Sequence, residues 1–350
     1  MTSTKQLGDT ALTDEAAVEE RLSRPTGVSV QAMQQLDGDL LILGAGGKMG
    51  PSLARLARRS VDESGRGDLK VIAVSRFLST AAREQLDQAG VETIACDLLD
   101  EDACRRLPET PNVLFMFGHK FSGSEPPSRY WAMNAYVPGM LALRYRRSRI
   151  VCFSSGNVYP FTAVDEAPPT EATPPAPLGE YATTVWGRER LLEFVSHEHR
   201  TPVCLLRLNY AVEPRYGVLI DLGERILAGE PIDLAVPEVN FIWQGHANAV
   251  ALASFAMAAS PAAVLNLTGP TRHRVRDLAV ALGKSLGTEP IFAGEEGDRA
   301  LVSDATLCRD RYGPGEVDDE ALIAMTAAWL KSGGRTLGKP TKFHVRDGRF

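Results

Sequence analysis

No apolar run in this chain approaches the roughly 18 residues that a membrane-crossing helix needs, so no segment reads as a membrane span. Cysteine is scarce and scattered. Cys96, Cys104, Cys152, Cys204 and Cys308 are odd in number and never spaced C-x-x-C. That argues against a disulfide framework or a zinc site and for a reducing compartment. The N-terminus, M-T-S-T-K-Q-L-G-D-T, has no apolar core of a signal peptide, so a cytoplasmic location is expected. Positive charge is not in excess. The formal net charge of −6 argues against a non-specific nucleic-acid binder. No internal repeat is evident, which argues against a solenoid. What remains is ordinary for a globular protein: 350 residues, 44% hydrophobic and 23% charged, enough for one large α/β unit or two lobes.

Residues 1–38 are acidic and polar. Thr13-Asp14 predicts a capped helix through Leu22, ended by Pro25, and the segment reads as an appended helical arm. From Asp39 the pattern changes. Short apolar runs at 39–44, 70–75, 91–96, 112–117, 149–154 and 202–208 alternate with helical stretches, the first of them at 51–60 with Pro51 tolerated in its first turn. Apolar strands flanked by helices imply a parallel sheet covered on both faces. Residues 161–180 are rich in proline and acidic side chains and read as a surface loop. Helices are then expected near 217–229, 247–259, 274–286 and 318–331, with strands near 239–243 and 264–268.

Residues 41–50 read L-I-L-G-A-G-G-K-M-G. Gly44, Gly47 and Gly50 follow the first strand and open a helix. The first glycine allows the tight turn, the second lets the backbone approach a pyrophosphate, and the third lets helix pack on strand. The helix N-terminus then offers free N–H groups to an anion. An isolated glycine pattern says little, but this one has both its strand and its helix. The second strand ends V-S-R-F. An NAD site usually carries an acidic residue there for the ribose 2′-hydroxyl. Here Ser75 and Arg76 stand in that region, and Arg76 suits a 2′-phosphate. NADP is therefore favoured, with NAD left open. Asp97, after the third strand, is expected beside the adenine.

Several motifs now stand in one order: the glycine turn, Cys96-Asp97-Leu98, Asn134 in W-A-M-N-A-Y-V-P-G, S-S-G-N-V-Y-P at 154–160, Tyr181, and L-R-L-N-Y-A-V-E-P-R-Y-G at 206–217. Over roughly residues 39–335 the chain resembles the extended short-chain dehydrogenase/reductase family, the NAD-dependent epimerase/dehydratase group. The resemblance implies an α/β fold, a Rossmann-type doubly wound parallel sheet with a smaller C-terminal substrate lobe. It implies a dinucleotide-binding domain over 39–210, with 239–270 returning to it. Segments 211–238 and 271–335 would form the substrate lobe, and 336–350 a docked or frayed tail. It also implies cofactor contacts at Gly44, Gly47, Lys48, Met49, Gly50, Ser75, Arg76, Asp97 and Leu98. Further contacts would come from Phe117, Gly118, Lys120, Ser154, Tyr181, Asn209 and Tyr210. Substrate contacts are implied at His119, Asn157, Asn209 and Arg215. No metal is implied.

The same resemblance makes Ser155 the residue that hydrogen-bonds the reacting oxygen and Tyr181 the acid/base of Y-x-x-x-K. Gly156 and Asn157 stand where the family's 4,6-dehydratases have an Asp-Glu pair, so that elimination chemistry is not expected. The lysine of Y-x-x-x-K is missing: position 185 is valine, although Glu189 keeps the family register on the far side. In the family that lysine holds the nicotinamide ribose and lowers the tyrosine pKa. A tyrosine without such help ionises near pH 10, so about one in a thousand is ionised at neutral pH. A neutral tyrosine still serves as proton donor in carbonyl reduction. Residues 117–123, F-G-H-K-F-S-G, are similar to the A-G-L-K-A-V-G stretch of UDP-galactose 4-epimerases. Lys120, with His119, is therefore a candidate replacement cation.

Other candidates are weaker. His197 and His199 do not share a helical face, so a metal site there is not expected. His246 suits capping or packing. Arg188 lies two turns after Tyr181 on roughly the same face, and a salt bridge is its expected role. Three functions stay open: an NADP(H)-dependent oxidoreductase acting on a hydroxyl or carbonyl group of a sugar-like substrate, an epimerase with tightly held NAD, and a nucleotide-binding protein without turnover. A homodimer through helices at 125–147 and 180–199 is a further expectation.

Overall fold

The computed structural model describes residues 12–119 and 125–349. The arm comes first. Helix α1 (Glu15–Leu22) starts where the sequence places it, with the Asp14 carboxylate accepting from Ala17 N at 2.8 Å. A second helix, α2 (Gly27–Gln34), was not expected. Thr26 and Ser29 cap it reciprocally. Eight residues are too few to hold a helix alone. Burial of Ala32 and Met33 in the main core supplies what local propensity lacks.

The core of the fold is a seven-stranded sheet. It contains β1 (Leu40–Leu43), β2 (Val71–Ser75), β3 (Glu92–Ala95), β4 (Asn112–Phe115), β5 (Arg149–Ser155) and the strands Val203–Leu208 and Ala263–Leu267. From one edge the order is 263–267, 203–208, β5, β4, β1, β2, β3. Every neighbouring pair is parallel. This is the doubly wound α/β arrangement, and its strand order reverses between β1 and β4. β1 and β4 are buried at every position. That is why they are continuous apolar runs and not alternating ones.

Helices cover both faces: α3 (Gly50–Glu63), α4 (Thr80–Gln88), α5 (Glu101–Arg105), α6 (Pro127–Trp131), α7 (Val137–Arg144) and α8 (Gly179–His199). Between α6 and α7 the residues Ala132–Tyr136 form a turn of π-helix, and Asn134 sits in it. Such bulges recur at functional sites.

Beyond the sheet, α9 (Val218–Ala228), α10 (Gln244–Ala253), α11 (Val275–Leu286), α12 (Thr306–Tyr312) and α13 (Asp319–Lys331) follow. The strand expected at 239–243 is two short pieces instead. Glu238–Val239 pairs with His273–Arg274, and Ile242–Trp243 pairs with Ala211–Val212. Val18 and Leu22 of α1 share a core with Leu222, Ile226, Leu282 and Trp329. Each such side chain, fully buried, contributes about 1.5–3 kcal/mol. The tail is docked as well. Thr341 N donates to Asp221 Oδ2 at 2.8 Å, and Phe343 is buried. Among the described residues no helix is long and apolar enough to cross a membrane.

Candidate functional site

The C-terminal ends of β1 to β4 open into a cleft of about 430 Å³, a size typical of small-molecule sites. Its floor is the glycine turn. Gly44 has φ +89°, and a Cβ there would meet Phe117 Cβ at 2.6 Å. β1 and β4 pair Leu43 with Phe115, so the two chains leave the sheet side by side and only glycine fits between them. A Cβ on Gly50 would strike the backbone of Ala45, which is the close helix–strand packing expected of the third glycine. Gly47 differs. A Cβ there would touch only Gly44 O, at 3.5 Å. That open side faces the cleft. No side chain caps the N-terminus of α3, so its free N–H groups and positive end remain available to an anion. These features fit a dinucleotide pyrophosphate.

Gly44, Gly47, Ser75, Arg76, Asp97, Leu98, Phe117, Gly118 and His119 all line this cleft. Arg76 is exposed and makes no ion pair among the described residues. Asp97 Oδ1 accepts from Leu99 N at 3.1 Å and shapes the turn after β3. Sequence reasoning missed Gly46, Phe77, Ser79, Met116, Arg129 and Met133, which line it too. Gly46 stood inside the glycine turn in the sequence, and the structure shows why it is glycine: a Cβ on it would collide with the Ser75 side chain. The others had no local signal.

The second part of the site lies at the end of β5. The Ser155 hydroxyl donates to Asn157 Oδ1 at 2.8 Å and accepts from Asn157 N at 3.2 Å. Tyr181, half-buried on α8, packs in one apolar cluster with Val158, Tyr159, Val185 and Trp186. Val185 is 1% exposed. Position 185, where the resemblance leads one to expect a lysine, is thus part of a filled apolar wall.

Beneath these residues lies a buried polar layer. Glu189 accepts two hydrogen bonds from Arg207, from Nε at 3.1 Å and from Nη2 at 2.8 Å. Burial works against the Arg207 charge, but the Glu189 bonds outweigh it and raise its pKa. Arg207 Nη1 also donates to Tyr159 Oη at 2.8 Å. Burial pushes the Tyr159 phenol up. Asn134 uses all four of its hydrogen-bonding positions. Its Oδ1 accepts from His119 N at 2.7 Å and from Arg188 Nη2 at 3.2 Å. Its Nδ2 donates to His119 O at 2.9 Å and to Thr184 Oγ1 at 3.0 Å. The His119 ring contacts the Glu125 carboxylate and packs on Tyr130 with centroids 5.2 Å apart.

Other sequence-predicted residues are turned elsewhere. Lys48 Nζ donates to Ala211 O at 2.9 Å and lies over the Tyr216 ring. Met49 is the uncapped N-cap residue of α3. The Ser154 hydroxyl is buried against Glu189. Asn209 Nδ2 donates to Asn240 and Ser303. Tyr210 packs against the C-terminal core, where burial raises its pKa. Arg215 is occupied. It pairs with Glu19 of the arm at 2.7 Å and with Glu213 at 3.1 Å. Its charge docks the arm, a long-range contact that local spacing could not reveal. His246 is buried beside Gly313 O, with its pKa lowered by burial. Lys120 lies outside the described residues. Among the described residues no cluster of His, Cys, Asp or Glu is placed to hold a metal.

A family model for the NAD dependent epimerase/dehydratase family matches residues 40–266, well over half of the chain. The chain belongs to that family. It therefore stands among NAD-dependent enzymes, although no curated protein matches it in sequence. Solved structures similar to this family member carry the same fold. One is a UDP-glucuronic acid 4-epimerase from Bacillus cereus in complex with NAD, at 16% identity and TM-score 0.67, covering 84% of this chain and 99% of that one. Another is a UDP-glucose 4-epimerase from Thermotoga maritima with UDP-glucose, at 21% identity and TM-score 0.65, covering 84% and 99%. A third is a dTDP-glucose 4,6-dehydratase from Bacillus anthracis in complex with NAD, at 14% identity and TM-score 0.67, covering 84% and 96%. At such identities the likeness carries the fold alone.

Proposed function

We propose that this family member is an NAD(P)-dependent oxidoreductase acting on a hydroxyl or carbonyl group of a nucleotide-sugar-like substrate. The observation that carries the reading is a juxtaposition. A glycine-floored cleft opens at the β1–β4 crossover, while Ser155 ends β5, the strand paired with β4, and Tyr181 stands on α8, which packs on β5. When bound, the nicotinamide supplies hydride exchange. The chain itself does the rest. Gly44, Gly47 and the start of α3 hold the pyrophosphate. Ser75 and Arg76 receive the adenosine ribose and, by the charge of Arg76, favour its 2′-phosphate. Ser155 exchanges its Asn157 bond for the reacting oxygen and orients it. Tyr181 gives the proton to that oxygen or takes it away. Lys120, with His119, remains the candidate replacement cation.

Epimerisation with a tightly held cofactor is the second reading, favoured by the family and by two of the similar structures. A homodimer fits the exposed apolar residues Trp131, Tyr136 and Leu143 along the α6–α7 segment together with Leu191 and Phe194 on α8. Five free, buried thiols fit a reducing cytoplasm.

The test is a binding and turnover assay with NADH, NADPH and a panel of UDP- and dTDP-sugars. Net cofactor consumption marks the oxidoreductase, and isomerised sugar without consumption marks the epimerase. Tyr181→Phe should lower turnover about 10²–10⁴-fold with cofactor affinity within a few fold. Equal activity in the variant removes Tyr181 from its role. Tight cofactor binding with no reaction on the panel supports a binding protein instead.

A further inference from the structure

The residue expected to form an ordinary salt bridge on α8 does something else. Arg188 is 4% exposed. Its guanidinium donates from Nε to Asn134 O at 3.0 Å, from Nη1 to Phe153 O at 2.6 Å and from Nη2 to Asn134 Oδ1 at 3.2 Å. All three acceptors are neutral. Among the described residues Arg188 has no carboxylate partner, and the neighbouring Glu189 is already neutralised by Arg207. This buried layer therefore carries one net positive charge. A buried cation without an anion is costly unless something it faces benefits from the charge.

Its place is informative. Gly118 lines the cleft and is exposed, and a Cβ on it would sit 2.9 Å from Arg188 Nη2. The guanidinium thus lies directly under the cleft wall. Helical side chains lean toward the N-terminus of their helix, here toward Tyr181. Asn134 completes the link. It bonds Thr184 Oγ1, which in turn donates to Tyr181 O at 2.8 Å.

We propose that Arg188 is the fixed cation of this site, a positioning residue that supplies from beneath, through Asn134, the positive charge that the missing lysine would have supplied at position 185. It biases Tyr181 and an anionic oxygen at the cleft wall electrostatically, and it holds the 118–119 backbone in place. This rests on the reading of Tyr181 as the proton-handling group. The experiment below measures charge at Tyr181 without turnover, so the two readings fail separately.

Tyr181 is followed by ¹³C-tyrosine resonance across an alkaline titration, with the signal assigned by its loss in Tyr181→Phe. Other ionisable groups around that face are Glu180, bonded to Trp131, and Tyr159 with its Arg207–Glu189 pair. His119 with Glu125 and Arg129 lies on the cleft side, and Asp347 and Arg349 flank Gly348, which packs on Gly179. All of these are unchanged in the variants. Seven residues of helix put Arg188 roughly 10 Å from Tyr181, which at an effective dielectric of about 20 corresponds to about one pH unit. Arg188→Met should raise the Tyr181 midpoint by about that much, and Arg188→Lys should restore most of it. Asn134→Asp is the second variant. It keeps the shape, places a carboxylate beside the guanidinium, and should raise the midpoint even if Arg188→Met does not fold. A midpoint unmoved in the folded variants overturns the proposal and leaves Arg188 as a structural clip between β5 and the π-turn.

Discussion

The glycine-floored cleft and the part of the site proposed to handle the proton are built in different ways. The first is written in consecutive residues. Gly44 to Gly50 form one turn with a positive φ at Gly44 and tight packing of Gly50 against Ala45, to which β4 adds the close approach of Phe117. The second is assembled from β5, the π-turn, α8 and the strand Val203–Leu208, and its polar groups meet only through tertiary contacts. Position 185 falls on the assembled side, where Val185 and Arg188 are both buried.

The comparison breaks hardest at its foundation. Arg207→Met would leave Glu189 buried and unpaired, a loss of about 3–5 kcal/mol of stability that urea unfolding would register. A variant as stable as the wild type would mean that the polar layer is not the support of the proton-handling side. Val185→Lys comes next. The wall around Val185 leaves no room, so overpacking should remove about 1–3 kcal/mol, read as a lowered melting temperature, without gain of turnover. A stable and more active lysine variant would instead mean an ordinary site that had decayed. The smallest effect sharpens the cofactor side. Arg76→Ala should weaken NADPH binding roughly tenfold, the loss of one exposed charge-assisted contact, and leave NADH nearly unchanged. Equal loss for both would assign Arg76 to something other than the 2′-phosphate.

Much of the fold was legible because its signals are short-range. The apolar runs match the seven-stranded sheet, and Asp14 caps α1 at the expected turn. Helix α2 was not legible, because its stability comes from Met33 and Ala32 in a distant core. Arg215 was assigned to the substrate from the family pattern, yet it holds Glu19, 196 residues away in the chain. The cleft residues Arg129 and Met133 had no local mark either, since they reach it from a helix whose position depends on packing.

By itself the sequence determined where the strands lie, the glycine turn and the departure from the resembled pattern at position 185, each a matter of neighbours within a turn or a strand. Whether that departure is a hole, a wall or a replacement was decided only by the tertiary structure. Val185 meets Val158 and Tyr159 from another segment, and Arg188 meets Asn134 across 54 residues of chain. Spacing along a sequence specifies which side chains share a helical face, but burial and charge balance depend on what the rest of the chain brings against that face.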